Sequence, residues 1–441
     1  MIESQGTNCS THVGSEWAVL DDISVVAMHT QITKCRVCGN SELIPVLSLE
    51  NQFMSGIFPL PEDALKVSSD PLNLVKCHGS EEVCGLLQLE HSYDPIEMYG
   101  ANYGYRSGLN SKMINHLNSK VETILADTEL QAGDIVIDVG SNDGTSLAAF
   151  PKNLTLIGVD PTIAKFSHYY QPHIIQIPDF FSFENIKNVI GEKRAKVVSS
   201  HSMFYDLEDP VGFAIQVRSV LDADGIWVFE QSYMPTMVEK TSYDTVCHEH
   251  VEYYGLHQIV WIIEQAGMRV TAVEFNDTNG GSFSVTATPR ENVNRKTSAR
   301  VFEVLKEEKK LGFLTLDPYH EFKEKTIQRR DELLGFIEDA KKRSKRICGV
   351  GASTKGNTIL QFTGITNLQI ESIAEINPDK FGCETPGTRI PIISQSDVLS
   401  TFPDYLLVLP WHFRSFFMES KLFARQNLLF PLPRVEVLVR S

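Results

Sequence analysis

The chain is 441 residues long, which at roughly 150 residues per domain implies about three domains rather than one core. Its 42% apolar and 22% charged residues, with 28 Gly and 20 Pro, exclude collagen-like, low-complexity and wholly disordered chains, and no apolar stretch approaches the roughly 18 residues of a membrane span. Forty basic against fifty-six acidic side chains leave a charge of −16, which repels phosphate backbones unless basic residues cluster; the longest basic stretch, 341–346, reads as a helix end, so neither nucleic acid nor membrane is an expected partner.

Residues 1–32 lack a positively charged start, and Asp21 and Asp22 interrupt their only apolar run, so they read as a disordered or extended segment and not as a secretory signal. From 33 to 95 the sequence is rich in turn formers and framed by two cysteine pairs. Cys35 and Cys38, followed by Gly39, have the form of a zinc knuckle; Cys77 and Cys84 form a looser pair, with His78 as a substitute ligand. Four protein ligands would make a structural Zn2+ site, since none is left open for substrate. Four thiols buried without metal are the alternative. Eight cysteines are too few for a disulfide scaffold in a chain of this length, which favours a reducing, cytoplasmic setting.

Between 96 and 290 apolar strands and helices alternate, as in a wound α/β sheet closed by a hairpin. Asp138-Val-Gly140-Ser141-Asn142-Asp143-Gly144 follows one strand and opens a helix, where small residues let backbone approach a ligand at the sheet's carboxyl edge. It lacks the third glycine of the dinucleotide fingerprint. Asp160, followed by Pro161, ends the next strand about twenty residues on and is placed to accept ribose hydroxyls. This acidic turn suits the cationic methionine portion of S-adenosylmethionine, and Asp179 and Phe180 fall near where adenine would lie. A glycine turn that only packs helix on strand is the weaker reading.

A charged, amphipathic helical connector, 291–345, leads to a second α/β unit, 346–441. Its Gly349-Val-Gly351-Ala-Ser353-Thr354-Lys355-Gly356-Asn357 turn suits an anion without Walker spacing. Glu375, Asn377, Lys380, His412 and Arg414 fall at later strand ends of the same edge. The remaining cluster is His248-Glu249-His250, whose i, i+2 histidines do not match a metallopeptidase helix. Taken alone it reads equally as an acid/base cluster at the sheet rim or as a solvated polar loop.

The ensemble resembles the three-domain, S-adenosylmethionine-dependent C-methyltransferases of branched-chain deoxysugars, of the mycarose and kijanose type. The likeness spans about 33–430. It rests on Cys35-x-x-Cys38-Gly, Tyr105-Arg-Ser-Gly-x-Asn110, Asp138 to Gly144, Tyr243-Asp-Thr-x-x-His-Glu-His250, Gly280-Gly-Ser282, Gly351 to Thr358, Asn377-Pro-Asp-Lys380 and Pro410-Trp-His-Phe-Arg414. The resemblance implies a zinc-binding domain, a Rossmann-like cofactor domain and a C-terminal Rossmann-like domain that helps hold a nucleotide sugar. It further implies methylation at C-3 of a dTDP- or GDP-linked 4-keto-6-deoxy sugar by way of an enolate. His250 would be the base, Glu249 and His248 would orient or relay, Tyr103 or Tyr105 would contact the sugar, and Lys355 and Arg414 would balance the diphosphate. The enzyme is expected as a monomer or small homo-oligomer. Three departures stand out: Cys247 where the family has Tyr, Tyr205-Asp206 where it has His, and a wider second cysteine pair. An O- or N-methyltransferase and a non-catalytic nucleotide-sugar-binding protein are the rival readings.

Overall fold

Strand β6 (Ile135–Val139) is buried at every residue, the signature of a central strand covered on both faces. In the computed structural model, which describes residues 29–80, 82–94, 98 and 105–439, it sits mid-sheet. The order is β12-β13-β10-β9-β6-β7-β8, with β7 (Thr155–Val159), β8 (Ile175–Ile177), β9 (Ala195–His201), β10 (Leu221–Ser232), β12 (Met268–Asn276) and β13 (Ser282–Pro289). Only β13 runs antiparallel, pairing with both β10 and β12, so the expected hairpin closes an otherwise parallel sheet. The parallel carboxyl ends bring Asp138, Asp160 and His201 to one edge.

The N-terminal module is antiparallel: β2 (Leu43–Phe53), β3 (Ser69–Cys77) and β4 (Leu87–Leu89) are neighbours, and β1 (His29–Gln31) pairs with β5 (His91–Tyr93). Thus the end of the N-terminal extension is an ordered strand; residues 1–28 lie outside the described residues. The sheet gains its fourth strand from the middle domain, where β11 (Glu252–Tyr253), two residues past His250, pairs with β4. A boundary near residue 95 therefore divides the sequence more cleanly than it divides the fold.

The C-terminal sheet has the order β16-β15-β14-β17-β18-β19, formed by β14 (Ile347–Val350), β15 (Ile373–Glu375), β16 (Ile392–Ser394), β17 (Tyr405–Val408), β18 (Leu428–Phe430) and β19 (Glu436–Leu438). All but β19 are parallel. The connector forms helices Ala299–Lys310 and Asp317–Lys342. The second buries Tyr319, Phe322, Leu333 and Ile337 against β2 and helix Met234–Glu239, so it is a strut and not a tether. One apolar core runs from Leu47 and Leu74 through Tyr243 and Phe322 to Ile373 and Leu407. The segment carrying His250 therefore lies where three domains share a core.

Candidate active site

The four predicted zinc ligands converge. Sγ atoms of Cys35, Cys38, Cys77 and Cys84 all lie within 4.8 Å of one another, with Cys35–Cys84 and Cys38–Cys77 at 3.5 Å. A tetrahedral Zn2+ with bonds of about 2.3 Å needs sulfurs about 3.8 Å apart, so the cage fits the ion, the wider second pair included. Between the first two ligands, Arg36 donates to Leu89 O and His91 O at 2.7 and 2.9 Å and to Glu208 of the middle domain at 3.0 Å. The metal module is thereby tied to the loop that carries Glu208 in the middle domain.

At the cofactor edge, Gly140 has φ +72, and a Cβ there would come within 2.9 Å of Met203, so the turn requires glycine on both counts. Ser199 Oγ donates to Asp138 at 2.6 Å; burial pushes that carboxyl up to about 7. Asp160 accepts from Asn142 N at 2.9 Å and from Thr162 N and Oγ1 at 2.6 Å, so it shapes the turn from which it would meet a ribose. Pro161 follows it, and Asp179 and Phe180 are exposed beyond β8, whose Ile177 O accepts from Asp160 N. The segment 105–110 lies over the turn: Ser107 N donates to Asn142 and Gly108 N to Asp143 at 2.9 and 2.8 Å, while Asn142 Nδ2 reaches Tyr105 O. Both ring nitrogens of His201 at the end of β9 are buried without a partner, an orphaned polar group facing this edge. Acidic turn, cover and orphaned imidazole fit the S-adenosylmethionine that the fold requires.

The His-Glu-His tripeptide splits in direction. His250 Nδ1 lies 2.9 Å from Thr245 O; a carbonyl can only accept, so the hydrogen is on Nδ1 and Nε2 keeps its lone pair. Its ring packs 4.3 Å from Tyr205, beside a cavity of about 10 Å³ also lined by Met234 and Tyr253. Burial lowers its pKa to about 4, against the Thr245 carbonyl and helped by Lys355, so it is neutral at pH 7. Glu249 turns towards the other two domains. A Cβ on Gly56 of the N-terminal module would meet its Oε1, beside Thr354 Oγ1 of the C-terminal domain, so any larger residue there would displace the Glu249 carboxyl. Burial raises the Glu249 carboxyl, which accepts from the Cys247 thiol. His248 turns elsewhere: fully buried, it faces Asp70 O at 3.4 Å and the Tyr93 ring at 4.8 Å, contacts that tie the loop to the N-terminal module. Tyr103 lies outside the described residues; Tyr105 is half exposed.

The C-terminal edge divides likewise. Lys355 Nζ donates to Asn279 O of the middle domain at 2.6 Å, and Lys240 Nζ donates to the next carbonyl, Gly280 O, at 2.8 Å. Lys112, whose ammonium lies 5.1 Å from the Phe413 ring, completes a basic seam around His412, which burial and these three lysines lower to about 3. Lys112 and Lys240 carry no sequence motif and were not foreseen. Other residues are occupied in holding loops: Ser353 caps helix Thr354–Thr363, and Asn357 Nδ2 donates to Ser55 O at 2.7 Å. Glu375 accepts from the N–H groups of Ala352, Ile376 and Asn377, Asn377 accepts from Asp379 N, and Lys380 donates to Ala352 O. Arg414 pairs with Glu436 at 3.0 Å and lies over the Phe430 ring.

Comparisons with known proteins agree with this layout. Three family models match in succession: a zinc binding domain over 35–99, a methyltransferase domain over 109–273 and a C-methyltransferase C-terminal domain over 277–433. The C-methyltransferase NovU of Streptomyces niveus is 28% identical over 418 residues, spanning 92% of this chain and 97% of its own. Among solved structures, a methyltransferase in complex with the Trm112 activator of Haloferax volcanii aligns at 15% identity and TM-score 0.34, over 41% of this chain and 94% of the other. The mitomycin 7-O-methyltransferase MmcR aligns at 14% and 0.33, over 41% and 55%. Among the described residues no helix is long and apolar enough to cross a membrane. Zinc cage, cofactor sheet and C-terminal domain stand in the order of these three family models, and the chain is an S-adenosylmethionine-dependent methyltransferase.

Proposed function

We propose that the enzyme methylates C-3 of a nucleotide-diphosphate-linked 4-keto-6-deoxy sugar. The observation that carries this reading is the state of His250: Nδ1 is committed to Thr245 O and Nε2 is left as an acceptor, at the junction of the cofactor edge and the basic seam. Methylation at carbon needs such a base, because a C–H beside a ketone must lose its proton before the carbon is nucleophilic. An O- or N-methyltransferase needs no enolate. NovU, named as a C-methyltransferase and aligned over nearly its whole length, supports carbon as the target.

Bound S-adenosylmethionine supplies an electrophilic methyl group on sulfur. His250 Nε2 takes the C-3 proton, and the C–H electron pair moves into an enolate with its charge on the C-4 oxygen. C-3 would then be nucleophilic towards that methyl group, with the cofactor held by the Asp138–Gly144 turn and Asp160. Tyr105 and Tyr103 are assigned to the sugar side, and Glu249 to orienting the loop beside His250. The diphosphate lies on the seam of Lys355, Lys240 and Lys112 beside His412, with Thr354 at its rim. Asp138, Gly140, Ser141, Asn142, Gly144 and Asp160 frame the cofactor, and Asp179 and Phe180 the adenine. The enzyme is assigned to the cytoplasm as a monomer or small homo-oligomer.

Incubation of the enzyme and S-adenosylmethionine with a panel of dTDP- and GDP-linked 4-keto sugars in deuterated water tests the reading by mass spectrometry. The expected product gains one methyl group on carbon, and unreacted sugar held with S-adenosylhomocysteine exchanges its C-3 proton. A methyl group found on oxygen or nitrogen overturns it.

A further inference from the structure

Three residues of the turn before the His-Glu-His tripeptide are held by the C-terminal domain, not by the domain to which the turn belongs. The Tyr243 ring packs against Phe362 at 5.4 Å. Asp244, with no exposed surface, accepts from Trp411 Nε1 at 2.8 Å. Val246 O accepts from Thr358 Oγ1 at 3.4 Å. Between these clamped residues lies Thr245, whose carbonyl is the acceptor for His250 Nδ1. Thr245 N itself donates to Ser242 O at 3.0 Å, closing a short 3-10 turn (Tyr243–Thr245) that fixes where the carbonyl points.

This carbonyl decides more than orientation. A neutral imidazole left to itself can carry its hydrogen on either nitrogen, and a hydrogen on Nε2 would occupy the atom that has to accept a proton. An acceptor facing Nδ1, here Thr245 O, keeps the hydrogen off Nε2. The Trp411 indole gives the Asp244 side chain its hydrogen bond to the C-terminal domain, with the Lys355 ammonium of the same domain adding a longer-range attraction that does not fix its direction, so loss of the indole N–H loosens the side chain that pins the turn.

We infer that Trp411 is a positioning residue for proton abstraction: through Asp244 and the Thr245 carbonyl, the C-terminal domain sets the tautomer of His250. The inference rests on the reading of His250 as the base, and it gives the C-terminal domain a part in the chemistry beyond holding substrate. Docking of that domain and readiness of the base become one event.

The test is Trp411→Phe, which keeps an aromatic ring and removes the N–H. In the full-length enzyme, kcat falls about tenfold, the order expected from one buried polar contact, while KM for sugar and cofactor stays within about twofold. Histidine-selective 15N NMR, with the His250 signal assigned by its loss in His250→Asn, shows the hydrogen on Nδ1 in the parent enzyme and on Nε2 in Trp411→Phe. Added to His250→Asn, Trp411→Phe has no further effect on the residual rate. Should Trp411→Phe misfold, Thr358→Val, which removes the bond to Val246 O, gives the same tautomer change in smaller degree. An unchanged tautomer, or an equal loss in the His250→Asn background, overturns the inference. Full activity of His250→Asn would instead overturn the base assignment, and the tautomer signal would still report on the clamp.

Discussion

Two parallel sheets of similar build put their carboxyl edges to opposite uses. In the middle domain the edge is an open frame: Asp138 bonds to the neighbouring strand β9 and Asp160 to the turn and its own loop, His201 keeps two orphaned nitrogens, and the 105–110 segment covers the turn. In the C-terminal domain the same kind of edge is largely filled. Glu375, Lys380 and Ser353 close its own loops, while Asn357, Lys355 and Trp411 reach into the other two domains. A sheet edge that binds ligands in one domain thus works as a docking face in its neighbour, and the active site is what the docking encloses.

The largest expected effect comes from removing what both edges share. The N-terminal module contributes Ser55 O to Asn357 and the space at Gly56 for Glu249, and its fold depends on the four thiolates. The enzyme is expected to bind about one zinc per chain; chelation under reducing conditions should unfold the module and abolish methyl transfer, while Cys84→Ser should do so without chelator. Elemental analysis and circular dichroism check this, and a zinc-free enzyme with full activity would break the comparison, since neither edge would then need the third partner. Next is His250→Asn. Asn can bond to Thr245 O but cannot take a proton at neutral pH, so the rate should fall by about 10² to 10⁴ while calorimetry finds both ligands still bound.

The two kinds of residue on the C-terminal edge can be told apart. Lys355→Met removes a buried ammonium from the seam and should weaken sugar binding by about 1.5 to 3 kcal/mol, the usual scale for a charge-assisted bond, leaving the cofactor dissociation constant unchanged. Glu375→Gln, where one carboxylate holds three N–H groups, should lower stability by about 1 to 3 kcal/mol and leave the sugar KM alone. Equal effects of both on the sugar KM would show the edge to be a binding surface throughout.

What could be read in advance follows the same division. The Cys35–Cys38 spacing and the Asp138–Gly144 turn were legible because chain-local geometry dictates them: two thiolates on one knuckle, small residues after an apolar strand. The helix after Ser353 was legible for the same reason. His248 was not, because in a loop without helix or strand period nothing local says which way a side chain turns; the Tyr93 ring and Asp70 carbonyl that receive it come from strands more than 150 residues earlier. Strand β11 is two residues long, too short for a period-2 signal. Lys112, Lys240 and the Trp411–Asp244 bond depend on how domains dock, and single lysines on helices read as solvated. Arg414 stands in a motif, and its ion pair with Glu436 of the same sheet has no local sequence signal either.

The smallest effect tests whether the middle edge is the open one. Asp138 is buried with one hydroxyl for company, and its carboxyl is pushed up to about 7 from its ordinary 3.8. Below about pH 4 it is protonated whether the chain is folded or not. As pH rises from there towards 7, the unfolded chain releases the proton and the folded one retains it, so this group's contribution to stability declines, and above 7 the decline stops. Asp138→Asn removes the titration while keeping a group that can accept from Ser199. The ligand-free variant should therefore gain in melting temperature relative to the parent between pH 5 and pH 8. A difference that does not change with pH would mean that water or a counter-charge already reaches Asp138, and the frame would then be less dry than its packing implies.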